Sequence, residues 1–398
     1  MTLSQEPLRL SAKREWLFRV VLLLVMALTL ELASCVALRL LNRRYPMDPM
    51  AEITEERVET FLKKAYDPEL GWKVDRTRHT LNSLGARSTR EYPDISRTIS
   101  VYGDSYVFGS GVPVEEAWTS LLEKKSGVGV LNFGVQGYGS DQALLRLERQ
   151  QSEVPSPTVL LCILAENINR CVNVYAGFYR PGFNPPKPRF VLAGSRLTVY
   201  NPFSSAAEAR DILLYHPDRL IAIAKEHDHW YRELELFGRP WRIAFPYSLQ
   251  LAARARYCVN RIRSGFQDSG THIPLFMEGS DSLQLLKAIL ARFRDLAKDR
   301  DFKGLVLVFP TVRDVRTMQR TGKVGYQPLL EFMRKDDIPY LDLADTIAQQ
   351  PDVERLYVDG EDHFNRPGGE LVSSRILEFL RERDALPGEI GSEPRRNE

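Results

Sequence analysis

The chain has 398 residues, 43% of them hydrophobic, enough for one large cored domain or two small ones. With 54 Lys and Arg against 52 Asp and Glu, the net charge of +2 excludes a whole-molecule field that would draw nucleic acid or an acidic polymer. The four cysteines, Cys35, Cys162, Cys171 and Cys258, form no C-x-x-C pair. No His/Cys cluster has zinc spacing, so the sequence suggests neither a metal nor a cofactor. Cys162 and Cys171 can bridge only if the chain turns back between them.

After an N-terminal tail of residues 1–19, Val20 to Leu38 is apolar except for Thr29, Glu31, Ser34 and Cys35. As a helix this run spans roughly 28 Å, close to a bilayer core, so residues 20–41 are expected to form a transmembrane anchor. Glu31 is its flaw, since a carboxylate at membrane depth costs a few kcal/mol unless neutralised or partnered. Two alternatives are a cleaved signal peptide and, from Leu32-Ala33-Ser34-Cys35, a bacterial lipoprotein box. Arg9, Lys13, Arg14 and Arg19 precede the run and Arg39, Arg43 and Arg44 follow it. Four against three barely decides the positive-inside rule; an inside N-terminus and an outside domain are expected mainly because single N-terminal anchors commonly insert that way.

Residues 42–95 read as a linker and lead-in, with a helix over Glu55–Tyr66. Strands and helices then alternate. Strands are expected at Thr98–Tyr102, Val128–Phe133 and Thr158–Leu164, with helices at Glu115–Lys125 and Ser140–Gln150. An insertion at about 171–280 interrupts the pattern with prolines, aromatics and a hairpin around Gly194. A helix follows at Ser282–Lys298, then a strand at Gly304–Phe309, a helix at Tyr326–Arg334, a strand at Pro339–Leu343 and a helix at Gly369–Glu382. Residues 387–398 read as a disordered tail. This alternation over 96–386 predicts an α/β domain, a three-layer doubly wound sandwich on a mostly parallel five-stranded sheet. Active sites in such folds lie beyond the carboxyl ends of the strands.

The residues at those ends carry chemistry. The first strand ends in Gly103-Asp104-Ser105, which places a serine between strand and helix, where a helix N-terminus favours negative charge. Asp-Ser is also an ordinary helix cap. The second ends in Asn132-Phe-Gly134-Val-Gln-Gly137, whose glycines let backbone N–H groups approach a ligand. The third ends in Glu166-Asn167-Ile168-Asn169-Arg170, where an amide can donate to an oxyanion or merely cap a turn. Asp359-Gly360-Glu361-Asp362-His363 precedes the last helix and suits a general base with an orienting acid. Of six histidines only His363 has such a position. His227 and His229, two apart in an expected helix, point about 200° apart and do not chelate.

Ser, Gly, Asn and His at successive strand ends, in that order, resemble the SGNH/GDSL hydrolase superfamily. So does the lead-in Asp67-Pro-Glu-Leu-Gly71-Trp72, then Asn82-Ser-Leu-Gly85. The resemblance covers about residues 65–170 and 300–380. It implies a flavodoxin-like SGNH hydrolase fold, Ser105 as nucleophile, His363 as base, and an oxyanion hole from Ser105 N–H, Gly134 N–H and Asn167. In the family's usual pattern the third block is Gly-x-Asn-Asp and an Asp stands three residues before the histidine. Here Ala165-Glu166 precedes Asn167, Ile168 follows it, and Gly360 takes the Asp position. The orienting acid is therefore Asp359, Asp362 or Glu361, with Asp359 favoured because Gly360 can absorb one residue.

The resemblance, with the anchor, implies a membrane-anchored, extracytoplasmic serine esterase acting on O-acyl esters, in particular acetyl groups of polysaccharide. Tyr175, Phe178, Tyr179, Arg180, Phe183 and Phe190 are candidates for stacking on sugar or for packing a subdomain. Rival readings are an acyltransferase, a lipase or thioesterase of the same fold, and a non-catalytic polysaccharide-binding scaffold.

Overall fold

The computed structural model describes residues 11–44, 50, 52–178, 183–194, 196–234, 243, 245–252, 254–255, 272–358 and 362–388. Strands β1 (Tyr66–Asp67) and β2 (Gly71–Trp72) form a short antiparallel ribbon. Strands β3 (Thr98–Tyr102), β4 (Gly129–Asn132) and β5 (Thr158–Leu164) enter the main sheet. The hairpin of β6 (Arg189–Ala193) and β7 (Arg196–Tyr200) belongs to the insertion, and β8 (Lys303–Phe309) and β9 (Tyr340–Asp342) complete the sheet.

The sheet runs β4-β3-β5-β8-β9, parallel throughout. Counting its own strands alone, the order is 2-1-3-4-5, the flavodoxin-like doubly wound order expected from the sequence. Its strand order reverses between β3 and β5, so the ligand crevice of such a fold lies beyond the carboxyl ends of those two strands.

The strands are apolar on both faces because helices cover both. Val159, Leu161 and Ile163 of β5 join Val306 and Val308 of β8 in one core, with the helices Ser140–Gln150, Asp281–Asp299 and Gln327–Lys335. Leu160, Cys162 and Leu164 alternate with them and join Leu305, Leu307 and Phe309 in the other. There the helices Trp118–Ser126, Val312–Thr321 and Arg366–Glu382 pack. The period of two along each strand therefore sorts the side chains into two layers.

Three local expectations change. The helix expected from Glu115 begins at Trp118, because Ala117 is extended after a 3-10 turn at Val114–Glu116. A further helix, Val312–Thr321, escaped the periodicity because only Asp314 and Val315 of it are buried. His227 and His229 do not share a helix: Asp228, extended at φ −128° and ψ 116°, separates Pro217–His227 from His229–Leu234.

The insertion builds a core of its own. Tyr175, Phe178, Phe203, Ile212, Leu220 and Tyr231 pack together with Val58 of the lead-in helix Glu55–Lys64. Tyr175, Phe178 and Phe190 are buried and Phe183 is packed against that core. These rings are therefore structural, and the sugar-stacking reading is withdrawn for them. Tyr179 and Arg180 lie outside the described residues. Cys35, Cys162 and Cys171 are free thiols, so no Cys162–Cys171 bridge forms.

The N-terminal segment is one helix, Ala12–Arg44. Its mean hydropathy of 2.5 over the best window makes it long and apolar enough to cross a membrane.

Candidate active site

Ser105 opens a four-residue helix, Ser105–Phe108, directly after β3. Asp104 caps it, its carboxylate accepting from the Tyr106 N–H at 2.9 Å. Gly109 ends it in the left-handed conformation, φ 77°, which glycine adopts without steric cost. Arg87 of the lead-in covers that end. Its guanidinium donates to the carbonyls of Phe108, Gly109 and Val112 and lies 4.4 Å from the Phe108 ring centroid. A cation at a helix C-terminus stabilises both the carbonyls and the dipole. The lead-in thus holds the candidate nucleophile's helix in place.

The Gly-rich turn after β4 is tied to the same lead-in. Trp72 Nε1 donates to the Gln136 carbonyl at 3.0 Å, Tyr138 O–H donates to the Trp72 carbonyl, and Gln142 Nε2 donates to the Leu70 carbonyl at 2.7 Å. Gly134 lies against the Ser105 helix so closely that a Cβ there would sit 2.3 Å from Phe108 N. Only glycine fits this approach. Its N–H, expected to face an oxyanion, donates here to Asn132 Oδ1 at 3.0 Å.

Asn167 follows β5 in the 3-10 turn Ala165–Asn167 and is 1% exposed. Its Nδ2 donates to Asp104 Oδ2 at 3.0 Å, and its Oδ1 is buried without a hydrogen bond among the described residues. The sequence reading assigned no role to Arg170. Its buried guanidinium stands 3.5 Å from Asp104 Oδ2 and donates to the Tyr138 carbonyl at 2.9 Å. Asp104 thereby links two strand ends: it caps the Ser105 helix after β3, and after β5 it holds the Asn167 amide and faces the buried Arg170 cation. The signal that would have found Arg170 is the burial of Asp104 itself, since a carboxylate just inside a sheet end needs a counter-charge.

His363 sits in a bridge that pairs Tyr357 with Phe364, and its carbonyl accepts from the Val358 N–H at 2.8 Å. Its ring packs on Tyr106, centroids 5.3 Å apart. Tyr106 also touches Phe364 and Phe309, and its O–H donates to the Asp362 carbonyl. Burial first, then the charges of Tyr357 and Asp362, pushes the Tyr106 phenol well above its usual range, so it stays a donor. The residue after Ser105 therefore bridges the two chemical motifs. One contact between them is this packing through Tyr106. Asp359, Gly360 and Glu361 lie outside the described residues, and of the three candidate acids only Asp362 is placed.

The molecule up to this point is a doubly wound α/β protein with a serine, an amide and a histidine motif gathered at its topological switch. No protein-family model matches the chain, and neither does any curated protein. Among solved structures it resembles a lipolytic protein of the G-D-S-L family from Desulfitobacterium hafniense DCB-2, at 14% identity and a TM-score of 0.33, over 71% of this chain and 99% of that one. It also resembles a lipase/acylhydrolase from Enterococcus faecalis, at 13% identity and a TM-score of 0.35, over 72% and 96%. A third is the psychrotrophic esterase EstA from Pseudoalteromonas sp., at 12% identity and a TM-score of 0.32, over 72% and 98%. Likenesses this loose carry no argument of their own. The fold stands on the strand order and register given above.

Proposed function

We propose that this chain is a membrane-anchored serine esterase of the SGNH/GDSL type, acting on O-acyl esters. The carrying observation is Ser105 at the switch point, on a helix braced by Asp104 and Arg87, with the His363 ring packed on the neighbouring Tyr106. In this reading Ser105 Oγ attacks the ester carbonyl carbon while His363 takes the hydroxyl proton. The alcohol leaves with that proton, and water then releases the acid from the acyl-serine. The Asn167 amide has two hydrogens. Asp104 holds one and thereby orients the other, which would donate to the oxyanion together with the Ser105 N–H. The Gly134 N–H would join only by leaving Asn132. Asp359 is the proposed acid behind His363, with Asp362 and Glu361 as the alternatives.

Helix Ala12–Arg43 is proposed to cross the membrane, with the domain outside the cytoplasm. Acetyl esters of polysaccharide are the proposed substrate, on the resemblance and the anchor rather than on the buried rings of the insertion. The engaged state of the Gly134 N–H favours a second reading, a scaffold that has kept the fold without turnover.

One experiment separates these readings. The detergent-solubilised chain is treated with a fluorophosphonate and its turnover of a small acetyl ester is measured. The esterase labels at Ser105 and loses label and turnover in Ser105→Ala, by several orders of magnitude. A folded wild-type protein that takes no label overturns the esterase assignment.

A further inference from the structure

The N-terminal helix has two unlike halves. From Trp16 to Leu30 its large apolar side chains are exposed, except Val20, which is partly covered. From Glu31 onward a stripe at helical spacing is covered by the rest of the chain: Ser34, Cys35 and Leu38 are buried, and Glu31 is half-buried. On the opposite side Leu32, Val36 and Leu40 stay exposed. At 1.5 Å per residue the freely exposed half is only about 22 Å long, whereas a bilayer's hydrocarbon is about 30 Å thick. A spanning helix must therefore bring several residues beyond Leu30 into the hydrocarbon, and the covered stripe begins there.

Part of the cover comes from the insertion. The Glu31 carboxylate accepts from the Tyr247 N–H at 2.6 Å, from the Ser248 N–H at 3.3 Å and from the Ser248 hydroxyl. These donors open the helical backbone of residues 247–252. A carboxylate that costs a few kcal/mol in hydrocarbon is thus partnered in place. The partner segment is turned inside out relative to a surface helix in water. Its polar Gln250 and Arg254 are buried, while Phe245, at 73%, and Leu249, at 50%, are exposed along with Ala252. Polar residues inward and apolar residues outward, against a helix with the same arrangement, is the pattern of a surface that meets lipid.

We propose that residues 245–252 are a second membrane element, docked on the anchor through Glu31, with Phe245 and Leu249 in contact with acyl chains. The inference rests on reading Ala12–Arg44 as membrane-spanning. It makes the attachment two-legged, so that the insertion and the sheet beneath it are fixed against the bilayer rather than swinging on a tether.

The test uses the full-length chain in phosphatidylcholine nanodiscs. Leu24→Cys, Phe245→Cys and Leu249→Cys each carry a fluorophore, with the labelled wild type as blank for the native thiols. Quenching is read with acyl-chain-brominated lipid and, separately, with aqueous iodide. The expected result is that positions 245 and 249 are quenched by brominated lipid to within about twofold of position 24 and are protected from iodide. Adding Glu31→Ala should cut lipid quenching at 245 and 249 several-fold and leave position 24 unchanged. Quenching at 24 with none at 245 and 249 overturns the proposal. If those two probes are instead shielded by a second copy of the chain, they escape both quenchers in a dimeric particle, and the proposal falls equally. Loss of lipid quenching at position 24 itself would show that the anchor reading, not the docking, has failed.

Discussion

The side-chain amide of Asn167 donates to the Asp104 carboxylate at 3.0 Å, tying the end of β5 to the residue before Ser105. This bond fixes which way the amide faces, because turning its oxygen toward a carboxylate would be repulsive. If the second Nδ2 hydrogen serves the oxyanion, Asn167→Ala lowers turnover of a small acetyl ester by about 10²–10³. Fluorophosphonate labelling of Ser105 should slow in parallel, while far-ultraviolet circular dichroism is unchanged. If Asn169→Ala gave that loss and Asn167→Ala did not, the amide would be assigned to the wrong residue.

Arg170 supplies the charge that Asp104 lacks elsewhere in the described site. Both side chains are almost fully buried, and their closest atoms are 3.5 Å apart. Removing one partner of such a pair leaves an uncompensated charge, at a cost of about 3–5 kcal/mol. Arg170→Met should therefore lower the denaturation midpoint strongly. Asp104→Asn combined with Arg170→Met should recover part of that loss, which a double-mutant cycle on chemical denaturation reads directly. Strict additivity of the two substitutions would show that they are not coupled.

Much of this arrangement was legible beforehand because parallel strands buried on both faces are short unbroken apolar runs. Thr158–Leu164 was placed to the residue, as was Thr98–Tyr102. The strand ends then fixed where Ser105 and Asn167 would lie. Three things were not legible. Trp72, Arg87 and Arg146 act by donating to backbone carbonyls distant in sequence, and no local pattern encodes that. The Asp104–Arg170 pair is likewise set by tertiary approach. The aromatic run after Cys171 has the composition of a carbohydrate platform, but composition does not tell an exposed ring from a buried one, and Tyr175 and Phe178 are buried.

Asp228 gives the insertion a pH signature. Fully buried between two helices, it accepts from the N–H groups of Val174, Tyr175 and Tyr231 at 3.0 to 3.2 Å. Burial outweighs these bonds and pushes its carboxyl from 3.8 up to about 6. A group raised in the folded state favours folding fully below its unfolded value. That contribution is lost as the pH climbs through the folded value. Stability should therefore fall between about pH 4 and pH 6, by about 3 kcal/mol for this group alone. Asp228→Asn should flatten that slope, so the variant compares more favourably with wild type at pH 8 than at pH 4. Urea denaturation at the two pH values checks it, and an unchanged slope would mean that Asp228 ionises normally.

Three carboxylates compete to orient His363: Asp359, Glu361 and Asp362. An orienting carboxylate must reach the Nδ1–H of His363 while Nε2 faces Ser105. Asp362 is the immediate neighbour, and adjacent side chains diverge in direction. Its backbone carbonyl is also pinned by the Tyr106 hydroxyl, which fixes the peptide just before the histidine. Glu361 has the reach, but its extra methylene holds an imidazole less firmly. Asp359 stands four residues ahead, and glycine at position 360 is the residue type able to absorb the longer spacing, since it reaches backbone angles closed to other residues. Asp359→Asn should therefore cut turnover by more than about tenfold, and Glu361→Gln and Asp362→Asn should each cost less. Tyr106→Phe removes the hydroxyl that holds the Asp362 carbonyl, so it should lower turnover by loosening the loop while Ser105 still labels. Small, equal losses in all three acid variants would leave a Ser–His dyad oriented by a backbone carbonyl. A dominant loss in Asp362→Asn would show that the loop turns sharply enough to bring adjacent side chains together.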